Sequence, residues 1–156
     1  LDINPQLNLQ VYPHFINPDN TLDLLTSASF SYVADCIDTL TPKVFLMKSC
    51  YERSIPIISS LGAGGRVDPL QVRVADISET HHCLLGYYVR KKLHQKGIYK
   101  GIETIFSPEL PDKRKIKLTP AGSVKKSVIG TISYMPAIFG CISASVVIRN
   151  LLRSDL

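Results

Sequence analysis

An α/β fold with a mostly parallel sheet and flanking helices is predicted by three observations on the 156-residue chain. First, the compact apolar run at residues 30–37 (FSYVADCI) suits a strand buried on both faces. Second, Thr41-Pro42 follows it, an N-cap with proline at the first helical position. Third, Ile55-Pro56-Ile57-Ile58 supplies another short apolar run after that helix. Strand, helix, strand at this spacing implies parallel pairing through a crossover. Upstream, residues 8–15 (NLQVYPHF) alternate weakly and read as a further strand. Pro18-Asp19-Asn20-Thr21 opens a helix with Leu22, Leu24 and Leu25 on its apolar face. Together these give a βαβαβ core over residues 1–77.

The second helix is expected to run from Thr41 to about Arg53, with Val44, Leu46, Met47 and Cys50 inward. Gly62-Ala63-Gly64-Gly65 joins the third strand to residues 67–74, which read as a strand; so short a link favours antiparallel or bent continuation over a crossover. Residues 78–128 form a basic helix and variable loop region. Within it residues 81–96 read as an amphipathic helix, apolar at Leu84, Leu85, Tyr88 and Leu93, and residues 102–106 and 115–118 as short strands around Pro108 and Pro111. Residues 129–156 close the chain as a packing helix. Its small residues Ala137, Gly140, Ser143 and Ala144 allow close approach to the sheet or to another subunit.

A hydrophobic content of 45% with 20% charged residues excludes a disordered or collagen-like chain. Residues 129–147, the most apolar stretch, carry Ser, Tyr, Pro and Gly and read as core, so no transmembrane segment is expected. Residues 1–10 lack the basic and apolar regions of a signal peptide. The first residue is not Met, as expected for a processed chain or part of a longer one. Cys36, Cys50, Cys83 and Cys141 are widely spaced, which argues against a zinc ribbon, disulfide framework or dithiol site. They are expected to be reduced, mostly buried thiols. The net charge of +5 is concentrated: residues 90–126 hold eleven Lys/Arg and three acids, while the remainder is weakly acidic. Such a stretch suits a polyanion-binding surface or a solvated face. With Tyr99 and Phe106 as its aromatics, base stacking is not supported.

In a parallel sheet, ligands bind beyond the carboxyl ends of the strands. Asp35 and Asp38 fall at that end of the run at 30–37, where a carboxylate can hold Mg²⁺ shared with phosphates or simply cap the helix. Lys43, in the helix's first turn, is a phosphate ligand or a solvated lysine. Gly62-Ala63-Gly64-Gly65 lacks the Gly-Lys-Ser/Thr of a Walker loop and is read as a turn needing positive φ or close backbone approach. No Gly-x-Gly-x-x-Gly occurs. His81-His82-Cys83 point apart on a helix and do not converge on a metal, and no Gly-x-Ser-x-Gly marks a hydrolase.

Three segments resemble the superfamily of MoeB, ThiF and ubiquitin-activating adenylyltransferases: residues 32–39 (YVADCIDT), residues 55–65 (IPIISSLGAGG) and the C-terminal helix. Within it, Asp35-x-x-Asp38 with Pro42-Lys43, the run from Gly62 to Gly65 with Asp68-Pro69, and residues 132–140 (ISYMPAIFG) are most similar to the tRNA threonylcarbamoyladenosine dehydratases. The resemblance implies a Rossmann-like fold and an enzyme using ATP and Mg²⁺ to adenylate and cyclise threonylcarbamoyladenosine beside the tRNA anticodon. It implies Asp38 as the catalytic acid and Mg²⁺ ligand, and Asp35, Cys36, Ile37 and Lys43 about the nucleotide. It further implies tRNA phosphates on Arg90, Lys91, Lys92, Lys96, Lys113, Arg114 and Lys115, a homodimer, a cysteine-desulfurase or sulfur-acceptor partner, and a cytoplasmic location. The family's glycine-rich loop, ribose-binding acid and phosphate-binding Arg and Lys have no match here, so the N-terminal nucleotide-loop part is missing and the chain alone is expected to be inactive. Two alternatives are an adenylyltransferase acting on the C-terminus of a small ubiquitin-like sulfur carrier and a non-catalytic dimerisation scaffold.

Overall fold

The computed structural model describes residues 3–111, 116–118 and 127–154. Chain order is α1 (Pro18–Thr26), β1 (Val33–Asp35), α2 (Leu40–Glu52), β2 (Ile57–Ser60), β3 (Arg73–Asp76), α3 (Leu84–His94), β4 (Glu103–Phe106), β5 (Ile116–Leu118), β6 (Ser127–Ile129) and α4 (Tyr134–Ser154). The main sheet runs β1-β2-β4-β3, with β1, β2 and β4 parallel and β3 antiparallel to β4; β5 and β6 form a separate antiparallel pair. The mostly parallel α/β fold is therefore present.

Side chains alternate across a strand, so adjacent residues feed opposite layers. Ile57 joins Leu25 of α1, Val44, Leu46, Met47 and Cys50 of α2, and Val89 and Leu93 of α3 on one face. Ile58 and Ile105 meet Met135, Phe139 and Val146 of α4 on the other. Both faces of β2 are thus covered, which is why it reads as an unbroken apolar run. Tyr32 donates to Glu103 Oε2 at 3.2 Å, and Asn150 Nδ2 donates to both, tying β1, β4 and α4 together.

Several expectations are corrected. Residues 8–15 form no strand: Leu9, Val11, Tyr12 and Phe15 are exposed, and among the described residues no strand pairs with them. Alternation supplies one apolar side, but a strand also needs a neighbour to satisfy its backbone. The run at 30–37 shortens to β1, an edge strand with Ala34 exposed, so it is not buried on both faces. α2 starts earlier than expected: Thr39 is its N-cap and Pro42 is its third residue, where a missing N–H is still harmless. The strand placed at 67–74 lies instead at Arg73–Asp76, after a 3-10 turn at Pro69–Gln71, and its antiparallel partner is β4 and not β2.

α3 begins at Leu84, with the Cys83 sulfur accepting from Gly86 N. Its buried face is Gly86, Val89 and Leu93, whereas Leu84 and Tyr88 are exposed. Gly86 allows a close approach there: a Cβ would lie 3.0 Å from Leu61 Cδ1. The C-terminal segment opens with β6, and α4 starts at Tyr134. Of its small residues only Ser143 is buried; Ala137, Gly140 and Ala144 face outward. By length and composition alone, residues 134–153 form a helix able to cross a membrane, with mean hydropathy 1.6; one such helix is weak evidence.

Two of the four thiols, Cys50 and Cys83, are buried, and Cys36 and Cys141 are exposed, so the cysteines are not mostly buried. Burial, then the Asp35 charge, pushes the Cys50 thiol up to about 11. Brief treatment with iodoacetamide near pH 8 is therefore expected to alkylate Cys36 and Cys141 and spare Cys50, read by peptide mass spectrometry.

Asp76 ends β3 and fastens the turn before β4. Its Oδ1 accepts from Ser78 N and Oγ, and its Oδ2 from Gly101 N at 2.6 Å and Ile102 N at 3.1 Å. Partial burial alone would raise its pKa; these bonds outweigh burial and hold it below the ordinary 3.8. A depressed carboxyl stabilises the fold above its unfolded value and loses that contribution as pH falls through the folded one. Asp76→Asn is thus expected to flatten the loss of urea midpoint as pH falls below about 4.

Candidate functional site

Because β1, β2 and β4 are parallel, their carboxyl ends share one edge of the sheet. The loops leaving that edge carry Cys36 to Thr39, Gly62 to Arg66, and Ser107 to Glu109. This is where an open α/β sheet holds ligands.

Asp35 and Asp38, three residues apart, are separated by the fold. Asp35 pairs in register with Ser59 of β2, so both side chains leave one face of the sheet. Lys43 descends onto them from α2: its Nζ lies 2.5 Å from Asp35 Oδ2 and 3.0 Å from Ser59 Oγ, and Ser59 Oγ donates to Asp35 Oδ2 at 2.6 Å. Lys43 is 0% and Asp35 1% exposed. A charge so buried persists only when paired and hydrogen-bonded, and this one is. The other carboxylate oxygen, Oδ1, accepts from Ile37 N at 2.9 Å and so shapes the turn that follows. That turn exposes Cys36 and Asp38 and leaves Ile37 half-buried. Lys43 and Asp35 therefore lie beneath the crevice, and Asp38 stands at its surface.

Beside this turn a hollow of about 330 Å³ is lined by Phe15, Asn17, Pro18, Thr39, Leu40, Thr41 and Pro42. It separates the starts of α1 and α2. Thr39 makes no side-chain cap bond, and its buried Oγ1 has no partner among the described residues.

The glycine-rich turn is a packing device, as its sequence suggested. Gly65 has φ +73°, and a Cβ there would lie 2.4 Å from Ile129 Cδ1; at Gly64 one would lie 2.2 Å from Ile129 Cγ2. Arg66, which sequence reasoning missed, organises the edge. It is 3% exposed, donating from Nε to Ser107 O, from Nη1 to Gly62 O and Gly64 O, and from Nη2 to His82 O. One guanidinium so joins the loops after β2 and β4 to the turn before α3. A lone arginine directly after four residues rich in glycine was the available signal. Glu109 continues the clamp by accepting from Val67 N and Asp68 N.

His82 Nδ1 meets Pro108 O at 2.9 Å and His81 Nδ1 meets Glu79 O at 3.1 Å; a carbonyl only accepts, so each Nδ1 carries its proton. Among the described residues no three His, Cys, Asp or Glu side chains form a metal-holding group. Of the basic residues, Arg90 is half-buried and bonded to Thr80 O at 2.6 Å and to Thr80 Oγ1. Lys91, Lys92 and Lys96 are exposed, whereas Lys113, Arg114 and Lys115 lie outside the described residues.

A mostly parallel open sheet with an exposed Asp38 at its carboxyl edge places the protein among α/β folds that hold ligands at that edge. Comparison with known proteins narrows this. The ThiF family model matches residues 1–155, and the chain belongs to that family. It is 35% identical over 159 residues to the tRNA threonylcarbamoyladenosine dehydratase of Bacillus subtilis, covering 97% of this chain and 62% of that protein. The Escherichia coli dehydratase is 35% identical over 114 residues, covering 69% of this chain and 42% of that protein. The solved structure of the E. coli enzyme TcdA in complex with ATP superposes with TM-score 0.83 at 28% identity, covering 99% of this chain and 60% of that one. The chain thus spans about three-fifths of the Bacillus relative and of that structure.

Proposed function

We propose that the chain is part of an ATP-dependent enzyme that dehydrates threonylcarbamoyladenosine in tRNA. The reading is carried by the coincidence of an exposed Asp38 at the carboxyl edge with a family whose similar members bear that name. ATP as cofactor is supported by the complex of the E. coli relative.

A carboxylate is a poor electrophile because it offers a poor leaving group. Attack of the threonylcarbamoyl carboxylate oxygen on the α-phosphorus of ATP releases pyrophosphate and leaves an acyl-adenylate. Ring closure by the carbamoyl group then expels AMP, so one water is lost overall. Asp38 fits one Mg²⁺ ligand, since this ion takes one or two carboxylates and completes its shell with phosphate oxygens and water. Bound there, Mg²⁺ would offset the triphosphate charge as it is attacked. Cys36 and Ile37 offer the turn's backbone to the nucleotide, and the Asp35–Lys43–Ser59 cluster holds that turn from below. No thiol is given a role as sulfur or thioester carrier.

The same reading makes the 156 residues inactive alone, since they carry no glycine-rich nucleotide loop. A homodimer through the outward face of α4, a sulfur-handling partner and a cytoplasmic location belong to it as further expectations. The test is AMP release by the gene product expressed over the length of its relatives. AMP should accumulate only with ATP, Mg²⁺ and threonylcarbamoyl-modified tRNA together. Release driven by a ubiquitin-like protein tail, and not by tRNA, would refute the reading.

A further inference from the structure

We propose that the outward side of α3, continued by the loop carrying Tyr99, is a platform on which unpaired bases of the tRNA loop stack. The inference rests on the tRNA reading above and adds to it which part of the nucleic acid is gripped, and how.

Residues 80–102 contain five Lys/Arg and not one Asp or Glu. Of these, Lys91, Lys92, Lys96 and Lys100 are exposed. The sequence left this stretch poor in aromatics, naming Tyr99 and Phe106, but folding changes the set. Phe106 is buried in the core, while Tyr87, Tyr88 and Tyr99 are 51%, 46% and 62% exposed. Tyr87 and Tyr88 lie edge to face with centroids 5.2 Å apart, and His94 lies against Tyr99 at 5.1 Å with a tilt of 41°. Seven residues of helix separate Tyr87 from His94, two turns on one side and a rise of about 10 Å. Lys91 stands between them, four residues from Tyr87 and three from Tyr88, hence beside both. Among the described residues no hydrogen bond ties the Tyr87, Tyr88 or Tyr99 hydroxyl to the fold.

Two aromatic pairs flanking exposed ammonium groups match what a single strand offers, ring faces and phosphates; the nearest carboxylate bonded to this stretch, Asp76, is turned onto the Gly101 and Ile102 amides. A duplex hides its base faces, so it would use the lysines and ignore the tyrosines. Exposed tyrosines alone would be unremarkable; their spacing among the exposed Lys91, Lys92, Lys96 and Lys100 is what points to RNA.

The test measures binding of the relative-length gene product to an anticodon stem-loop RNA, to a fully paired RNA of equal length, and to vesicles of phosphatidylglycerol and phosphatidylcholine. Tyr87→Ala/Tyr88→Ala and Tyr99→Ala should each weaken stem-loop binding about 10-fold and leave duplex binding unchanged, while Tyr→Phe at the same positions retains it. Lys91→Gln should weaken both RNAs alike and reduce the salt slope by about one. If the lysine variant weakens RNA binding and the tyrosine variants do not, the tRNA reading stands and the platform is refuted. Absence of RNA binding by the unsubstituted protein refutes both. Tyrosine-dependent binding to vesicles and not to RNA would assign the surface to lipid and overturn the proposal.

Discussion

Replacing Lys43 by Met is expected to destabilise the fold by about 3–5 kcal/mol, because it strands a buried carboxylate. Asp35 would keep its bonds from Ser59 Oγ and Ile37 N but lose the only charge that the described contacts set against it. The surface pair Lys48–Glu52 sets the scale. Its atoms are 2.6 Å apart at i,i+4, yet both side chains reach solvent, and such pairs contribute about 0–1 kcal/mol. Similar distances therefore give different consequences, decided by burial. Urea midpoints for Lys43→Met and Lys48→Met measure the contrast. The double variant Asp35→Leu/Lys43→Met is expected to recover part of the loss, since removing both charges leaves none unpaired. Recovery stays incomplete because Ile37 N and Ser59 Oγ lose their acceptor. Equal small losses for both lysines would show that Lys43 is not buried as a partner of Asp35.

Asp38→Asn should act in the opposite way, reducing turnover on the order of 100-fold with little change in stability. The side chain is exposed at the carboxyl edge, and the amide keeps its size and its capacity to accept hydrogen bonds, so the stability effect should be small. An amide keeps the shape and loses the charge that would hold a divalent cation. The defect should shrink as Mg²⁺ is raised, as it would if metal affinity is what the substitution removes. A stable variant with unchanged AMP release would remove Asp38 from the chemistry and favour a scaffold role.

How much the sequence revealed depended on whether one element or several decide a residue's place. α2 was legible because Val44, Leu46, Met47 and Cys50 repeat at helical spacing and are all buried. The same phase also marks Lys43, four residues before Met47 and seven before Cys50. Its charge hid that signal, since lysine is normally a surface residue. Its partner Ser59 lies sixteen residues away and becomes a neighbour only through the β1–β2 register. The inner side of α3 was misjudged for a related reason. Tyr88 and Leu84 are more apolar than Gly86, yet the helix packs closely on Leu61 at Gly86, where a Cβ would already lie 3.0 Å from Leu61 Cδ1. Residues 8–15 show the converse, an alternating pattern without a pairing strand among the described residues. The position of Asp38 at the carboxyl edge was legible, since a helix follows directly on an apolar strand there; the Arg66 clamp was not, since two of its four carbonyl partners, on His82 and Ser107, are brought near only by the fold.

The central claim is tested most directly by nucleoside mass spectrometry of threonylcarbamoyl-modified tRNA incubated with ATP and Mg²⁺. The gene product at the length of its relatives, its Asp38→Asn variant and the 156-residue chain would be run side by side. Loss of one water from the modified adenosine with the unsubstituted longer protein, and with neither of the others at a comparable rate, is the predicted result. An unchanged nucleoside mass with all three would contradict the account.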